Sequence, residues 1–428
     1  MSERSGRGVA IRTLGCKVNR AESETIASAL LGDGAFLAEE SEAAVVVVNT
    51  CTVTGEADAK ARKAVRHALA GASRPMVVVT GCLAALDRDA LTALGERVVV
   101  EADKSRVAAL VEELLGAEAS HGGDHVPVSR AEDPAFRTRA SLKVEDGCDA
   151  FCSYCIVPYA RGVPRAVALD EVAGRAAELV AGGTREIVLT GINIGRYDDA
   201  GHDLADVVDA VAASGVARIR LSSIEPLDLT PKLLAAMAAA PAFCAHLHVP
   251  LQAGSDAVLS AMGRTYTCDE FAARLDAARG ALPGLVVTTD VLAGFPGETA
   301  EQAVETLAFC ERVGFGKLHV FRYSRRPGTP AAERADQVAE PAKAARAAAL
   351  RELSGRLGAK RAAGRLGASA EVLVERVEPG SNGEAIAEGT TRDYLRVRFS
   401  ACGAGAGELA DVRLVRVEGE HLLGERLL

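Results

Sequence analysis

Three thiols lie close together near the middle of the chain. Cys148, Cys152 and Cys155 follow one another at Cys-x3-Cys-x2-Cys spacing, and no fourth Cys or His lies close behind them. A structural zinc site needs four protein ligands, usually arranged as two closely spaced pairs. Three neighbouring thiolates instead suit a [4Fe–4S] cluster in which one iron has no protein ligand. The spacing therefore predicts a reactive iron–sulfur site; the alternative is a loop whose thiols are oxidised or bound to zinc.

Three further thiols, Cys16, Cys51 and Cys82, are dispersed, and each comes just after a predicted strand. Strands that alternate with helices predict a parallel sheet covered on both faces, and ligands bind at the carboxyl edge of such a sheet. The three thiols could therefore converge into a second iron–sulfur site; the alternative is that they are small buried hydrophobic residues. The predicted strands cover residues 9–14, 44–49 and 76–80, and the predicted helices cover residues 19–31 and 56–70.

The composition is that of an ordinary soluble globular protein. The chain has 428 residues, of which 49% are hydrophobic and 25% charged, and this length favours two or three domains. A net charge of -9 gives no overall attraction to nucleic acid, so any RNA contact must come from local basic patches. Because neither a signal peptide nor a long apolar run is present, we expect a cytoplasmic protein without a membrane partner. Its ten cysteines are then metal ligands or free thiols rather than disulfides.

The middle of the chain alternates strands and helices six times, which predicts a partly open (β/α)6 barrel with its site at the carboxyl ends of the strands. Hydrogen-bonding residues follow several of these strands and would surround a mouth where an amino acid and a ribose could dock. The predicted strands cover residues 141–144, 186–190, 217–221, 246–251, 286–291 and 317–323. The candidate cofactor-binding residues are Gly191, Asn193, Ser222, Glu225 and Gln252.

The last part of the chain changes to the alternation of half-exposed strands, at residues 370–375, 394–399 and 411–416. Short strands with glycine turns predict a small β-barrel of the OB-like kind. A Gly-rich polar stretch between residues 117 and 138 predicts a linker. The fold class is thus α/β, with domains at residues 7–120, 134–364 and 365–428.

Two groups of basic residues are candidates for binding RNA phosphates. One lies on the helix after Cys51, where residues three and four apart share a face, and the other on and before a strand of the terminal barrel. The alternative for both is ordinary solvated surface. The candidates are Lys60, Lys63, Arg66, Arg392, Arg396 and Arg398.

Taken together, these motifs resemble the radical S-adenosylmethionine (SAM) methylthiotransferases over nearly the whole chain. That family has an N-terminal three-cysteine domain, a radical SAM domain and a C-terminal TRAM domain. The opening Leu14-Gly-Cys-Lys-Val-Asn19 looks like the branch that modifies threonylcarbamoyladenosine in tRNA. It lacks the Trp-Gly-Cys-Gln-Met-Asn type of the isopentenyladenosine branch and the Gly-Cys-Pro-Lys-Asn type of the ribosomal-protein branch. One departure is Gln252-Ala253-Gly254, where the family generally has Ser in the middle.

The resemblance implies a transferase that adds a methylthio group at C2 of N6-threonylcarbamoyladenosine beside the tRNA anticodon. Cys148, Cys152 and Cys155 would hold a [4Fe–4S] cluster that cleaves SAM to a radical. The dispersed thiols would hold a second [4Fe–4S] cluster carrying a sulfur that another SAM methylates. SAM would thus serve as radical source and methyl donor. We expect a monomer that binds the tRNA anticodon loop, with unidentified electron and sulfur donors.

Two alternatives remain within the family, namely isopentenyladenosine in tRNA and an aspartate of a ribosomal protein. An alternative of another class is a non-catalytic iron–sulfur protein that binds RNA or transfers electrons. It would hold clusters but would form no 5′-deoxyadenosine when reduced with SAM.

Overall fold

A computed structural model describes residues 8–116, 138–380, 383–419 and 421–427. The predicted linker falls at residues 117–137, outside the described part. The chain divides into two compact units, the first made of Met1–Ser129, Asp146–Val163 and Ser324–Ala332, and the second of the remaining residues. The three-cysteine segment Asp146–Val163 thus groups with the N-terminal sheet. The bounds of the three predicted domains remain predictions.

The first unit contains a five-stranded parallel sheet in the order β2-β1-β3-β4-β5. The central strand explains the packing, because Val46 and Val48 enter one hydrophobic core with Val65, whereas Val45 and Val47 enter another with Ile26. Burial on both faces is typical of parallel strands. The strands are β1 Gly8–Thr13, β2 Phe36–Leu37, β3 Val45–Thr50, β4 Met76–Gly81 and β5 Val98–Val100. The helices are α1 Lys17–Gly32, α2 Gly55–Leu69, α3 Cys82–Leu86, α4 Arg88–Thr92, α5 Val107–Leu115 and α6 Val157–Arg161.

The second unit contains six parallel strands in the orders β10-β9-β6 and β11-β12-β13. The two halves are joined where the Cys244 amide donates to the Ile219 carbonyl at 2.8 Å. The partly open (β/α)6 arrangement is therefore confirmed. The strands are β6 Arg139–Lys143, β9 Glu186–Thr190, β10 Arg218–Leu221, β11 His246–His248, β12 Val286–Ala293 and β13 Lys317–Arg322, with short strands β7 Glu145–Asp146 and β8 Arg165–Ala166 elsewhere.

Helices separate these strands along the chain, as predicted. Several begin with a capping box, for example α12, where Thr299 and Gln302 exchange side-chain and backbone hydrogen bonds. The helices are α7 Leu169–Ala181, α8 Leu204–Ala213, α9 Pro231–Ala239, α10 Asp256–Ala261, α11 Cys268–Ala281, α12 Ala300–Val313, α13 Pro330–Glu333 and α14 Glu340–Ala363. None of the described helices is both long and apolar enough to span a bilayer.

The second unit ends in a closed five-stranded barrel, in the order β14-β15-β16-β18-β17. Its third strand starts later than predicted, since Tyr394 has a left-handed φ of 69° and belongs to a turn. The strands are β14 Ser369–Pro379, β15 Ala385–Thr391, β16 Arg396–Ser400, β17 Leu409–Glu418 and β18 His421–Arg426.

The terminal barrel packs against the amino ends of the parallel strands within this unit. The ring of Tyr394 stacks on His246, with 4.6 Å between the centroids. Around it, three arginines of β6 and β10, of which Arg218 and Arg220 are fully buried, are neutralised by three carboxylates, two of which come from the terminal barrel. The pairs are Arg139–Glu375 at 3.2 Å, Arg218–Glu371 at 2.8 Å and Arg220–Glu186 at 2.9 Å.

Candidate functional site

The dispersed thiols follow three neighbouring strands of the first unit. Cys16 lies just beyond β1 and caps α1, Cys51 directly follows β3, and Cys82 begins α3 directly after β4. Since β1, β3 and β4 are adjacent and parallel, all three thiols lie at one carboxyl edge. Gly15 lies so close to Cys51 that an added Cβ would be 2.3 Å from the Cys51 Cβ, which requires glycine there. The structure therefore brings Cys16, Cys51 and Cys82 together.

Two buried asparagines hold these loops in place. Asn19 Nδ2 donates to the Leu14 carbonyl at 2.8 Å and to the Thr50 carbonyl at 2.9 Å. In return, Asn49 Nδ2 donates to the Asn19 carbonyl at 2.9 Å. Asn19 thus fixes the loop that carries Cys16 against the one that carries Cys51.

The protonation of these thiols depends on their burial. Cys51 and Cys82 are each 5% exposed, whereas Cys16 is exposed. Burial raises the pKa of Cys51 to about 11, and neighbouring Cys16 and Cys82 thiolates add to the rise. Burial also raises the pKa of Cys82, although the Arg161 guanidinium opposes this. Thiolates at this edge therefore need a cationic partner, so metal binding here would release protons.

The second set of thiols lies in the segment Asp146–Val163 of the same unit. The Cys155 amide donates to the Cys152 carbonyl at 2.9 Å, and the Cys148 amide donates to the Gly162 carbonyl at 2.9 Å. A Cβ on Gly147 would lie 2.1 Å from the Val163 carbonyl oxygen, so only glycine fits where the segment closes on itself. The three thiols are thereby held in one compact loop.

Each set suits an iron–sulfur cluster by its chemistry, since it offers three cysteine thiols. Within the described ranges, no three His, Cys, Asp or Glu side chains are arranged as ligands of a single metal ion. A [4Fe–4S] cluster binds each thiolate to a different iron, so its ligands are spaced more widely than those of one ion.

One residue that sequence reasoning missed contacts a thiol directly. Arg161, at the end of α6, donates from Nε to the Cys82 sulfur at 3.1 Å. It lies in the Pro158-Tyr-Ala-Arg-Gly162 motif, which was the available signal.

Two hydroxyls mark the carboxyl ends of neighbouring strands in the second unit. Thr190 Oγ1 ends β9 and Ser222 Oγ follows β10, and both atoms are buried without a hydrogen-bond partner in the described part of the chain. Buried polar atoms are nearly always hydrogen-bonded, so these two suit a polar ligand. Ser222 was a sequence candidate, and Thr190 is an addition.

The other predicted cofactor-binding residues have partners within the protein. The Asn193 amide donates to the Glu145 carboxylate at 2.8 Å, and a Cβ on Gly191 would lie 2.8 Å from the same carboxylate. Glu145 thus accepts the backbone amide hydrogen of Asn193, and the assignment of Asn193 to the cofactor stays a prediction. Glu225 is ion-paired with Arg264, and the Gln252 backbone amide donates to the Asp290 carbonyl at 2.9 Å.

The basic candidates fall into three groups. Arg392 donates to the Pro241 carbonyl at 2.6 Å and the Phe243 carbonyl at 3.1 Å, which anchors the terminal barrel, and its contact with RNA stays a prediction. Two others have acidic neighbours, in the pairs Lys60–Glu56 at 2.7 Å and Arg398–Glu388 at 2.8 Å. Lys63, Arg66 and Arg396 are exposed and form no ion pair with any described residue.

Two family models match the chain. Residues 142–310 match the Radical SAM superfamily, and residues 8–101 match the uncharacterized protein family UPF0004. Among solved structures, the radical S-adenosylmethionine methyltransferase TsrM from Kitasatospora setae has a TM-score of 0.54 at 15% identity, covering 76% of this chain and 77% of that one. At this identity the likeness supports the fold alone.

Curated relatives match over nearly the full length. The threonylcarbamoyladenosine tRNA methylthiotransferase MtaB of Bacillus subtilis is 37% identical, over 95% of this chain and 94% of its own. The tRNA-2-methylthio-N(6)-dimethylallyladenosine synthase of Geobacter metallireducens is 33% identical, over 97% of each chain.

Proposed function

The chain belongs to the radical SAM tRNA methylthiotransferases, and from this premise we propose that its substrate is N6-threonylcarbamoyladenosine beside the tRNA anticodon. The observation that carries this proposal is the greater identity, 37% against 33%, to a relative named for that nucleoside than to one named for dimethylallyladenosine. The opening Leu14-Gly-Cys-Lys-Val-Asn19 supports the same branch.

SAM and [4Fe–4S] clusters, which enzymes of this family use, supply the radical chemistry and the methyl group when bound. We assign Cys148, Cys152 and Cys155 to the cluster that binds SAM. We assign Cys16, Cys51 and Cys82 to an auxiliary cluster, because they follow three adjacent parallel strands at one sheet edge and Asn19 holds the loops of Cys16 and Cys51 together. The role of these residues is to hold metal as thiolates, with one iron of each cluster left to a small ligand.

For SAM itself, the proposed side-chain contacts are Thr190 and Ser222. Their buried hydroxyls have unfilled hydrogen-bonding capacity and lie at neighbouring strand ends. Each hydroxyl can donate one hydrogen bond and accept others, so together they suit the polar groups of an amino acid or a ribose.

The tRNA partner is recognised, in this proposal, through its anticodon loop. Bases of a single-stranded loop can be splayed into a pocket without opening a duplex. Lys63, Arg66 and Arg396 are the proposed phosphate contacts, since they are exposed without ion pairs to described residues. We further propose that the enzyme acts in the cytoplasm as a monomer, with electrons and sulfur delivered by separate donors.

The test is the mass of the modified nucleoside. The reconstituted full-length enzyme is incubated under reduction with SAM, a sulfide source and tRNA bearing threonylcarbamoyladenosine. We expect that nucleoside to gain a methylthio group, detected by mass spectrometry after digestion. Parallel reactions contain tRNA bearing isopentenyladenosine, or ribosomal protein. A methylthio group found only in one of these would contradict the proposed substrate.

A further inference from the structure

Arg161 is a buried cation with every side-chain nitrogen engaged. Its side chain is 2% exposed. Besides the bond from Nε to Cys82, Nη1 donates to Glu22 and to Asp146, each at 2.8 Å. Nη2 donates to the Asn19 side-chain oxygen at 2.7 Å. A planar fork with five N–H donors can satisfy this many partners at once, whereas a lysine ammonium has three.

The neighbouring carboxylates and the Asn19 oxygen accept from Nη1 and Nη2 of Arg161, so Nε is the nitrogen that donates to the sulfur. The two carboxylates, Glu22 and Asp146, face two cations, because Lys104 Nζ also lies 2.9 Å from Glu22 Oε1. Nη1 and Nη2 both face oxygens, so the bond from Nε to Cys82 is the contact of this guanidinium with a thiol.

The same guanidinium reaches the other two cysteine loops through one intermediate residue. Asn19 accepts from Arg161 Nη2 and donates to the Leu14 and Thr50 carbonyls, which immediately precede Gly15-Cys16 and Cys51 in the chain. Because Arg161 also lies in the segment Asp146–Val163, it ties the loops of one thiol set to the segment of the other.

We propose that Arg161 is a positioning residue of the auxiliary cluster, which donates a hydrogen bond to the Cys82 thiolate and holds the three cysteine loops in place. This inference rests on the cluster assignment made under the proposed function. Hydrogen bonds to cluster sulfurs and the surrounding charge set the reduction potential of a cluster, and outer residues that orient metal ligands govern metal affinity. A donor and a positive charge at Cys82 stabilise the more negative, reduced cluster and so raise its potential.

The experiment uses full-length protein in which Cys148, Cys152 and Cys155 are all replaced by Ala, so that only auxiliary iron remains. In this parent form, Arg161→Gln and Arg161→Lys are compared by iron content and by redox titration monitored by electron paramagnetic resonance. We expect Arg161→Gln to shift the potential to a more negative value. Arg161→Lys keeps the positive charge but not the planar guanidinium, so its reduction potential should lie between those of Arg161→Gln and the parent.

The matched control is Arg97→Gln. Arg97 is a partly buried arginine of the same unit, and it donates to the Leu69 and Pro75 carbonyls at 2.7 and 2.8 Å, away from the thiols. An unchanged potential in Arg161→Gln, or an equal shift in Arg97→Gln, would overturn the proposal. Loss of iron in Arg161→Gln supports the proposal if the metal-free variant and the metal-free parent unfold at the same temperature. Loss of iron together with a lowered unfolding temperature is a folding defect and overturns it.

The parent form separates this inference from the assignment beneath it. If the parent itself holds no iron, the auxiliary-cluster assignment is wrong. If the parent holds iron and substitution of Arg161 leaves the reduction potential of that cluster unchanged, only the positioning role of Arg161 is wrong. The identity of the nucleoside does not enter, because no tRNA is present.

Discussion

At the scale of single residues, the six thiols divide into two sets with separate proposed tasks. Cysteine type and spacing predicted both sets, because cluster ligands must be thiols and the compact motif has a fixed spacing. Arg161 was not predicted, since its partners Asn19, Glu22 and Cys82 are distant in sequence and only the fold brings them together. The hydrogen bond from the Asn193 amide to Glu145 was likewise not predicted, because these two residues are distant in sequence.

Replacing one thiol of each set should have different effects. Wild-type enzyme should hold about eight irons per chain after anaerobic reconstitution, and Cys16→Ala about four, because one of two [4Fe–4S] clusters is lost. Cys152→Ala should abolish the formation of 5′-deoxyadenosine from SAM, whereas Cys16→Ala should abolish methylthiolation. Iron analysis and chromatography of the products measure both.

Cys402→Ala is the control for these variants, since Cys402 is an exposed thiol outside both sets. It should keep full iron content and full methylthiolation. Cys16→Ala with wild-type iron and wild-type methylthiolation would show that the second cluster does not exist.

At the scale of elements, periodicity in the sequence predicted all six parallel strands of the partly open (β/α)6 barrel. It also predicted three of the five strands of the terminal barrel. It missed β15 and β18, each of which contains a glycine that weakens the strand pattern. The fold explains these glycines, because a Cβ on Gly389 would lie 2.1 Å from the Leu373 carbonyl oxygen and one on Gly424 2.1 Å from Val412 Cγ1. Gly389 and Gly424 thus allow close packing of the terminal barrel, and they also make β15 and β18 difficult to predict from the sequence.

Gly389→Ala should destabilise the terminal barrel. The added methyl group forces β14 and β15 apart, and overpacking of this kind costs about 1–3 kcal/mol in the free energy of unfolding. Chemical denaturation followed by circular dichroism measures the change. The control is Gly405→Ala, where the nearest atom to an added Cβ is 3.9 Å away. Equal stability of the two variants would contradict this account of β15.

At the scale of the whole molecule, the net charge of -9 means that tRNA must be bound by local cations against an unfavourable overall charge. Family membership sets aside the non-catalytic alternative and establishes tRNA as the substrate class. Composition could exclude a broadly basic RNA-binding surface, but it could not distinguish Arg396, which is exposed, from Arg392, which is occupied by carbonyl groups.

Arg396→Ala should weaken tRNA binding to a similar extent for different tRNAs. Loss of one phosphate contact lowers the slope of log affinity against log salt concentration by about 1. Filter binding or fluorescence anisotropy at several salt concentrations measures it. Arg351→Ala, at an exposed arginine of α14, is the control and should leave the slope unchanged. A slope unaffected by Arg396→Ala would remove that residue from the phosphate contacts.

The shared charge balance between the terminal barrel and the parallel strands limits how the enzyme can be dissected. Deleting the barrel would remove Glu371 and Glu375, leaving Glu186 to neutralise two buried arginines and the half-buried Arg139. A buried charge without its partner is strongly destabilising. A truncated enzyme that fails to modify tRNA would therefore say nothing about RNA recognition, and the contribution of the barrel can be measured only with surface substitutions that leave this balance intact.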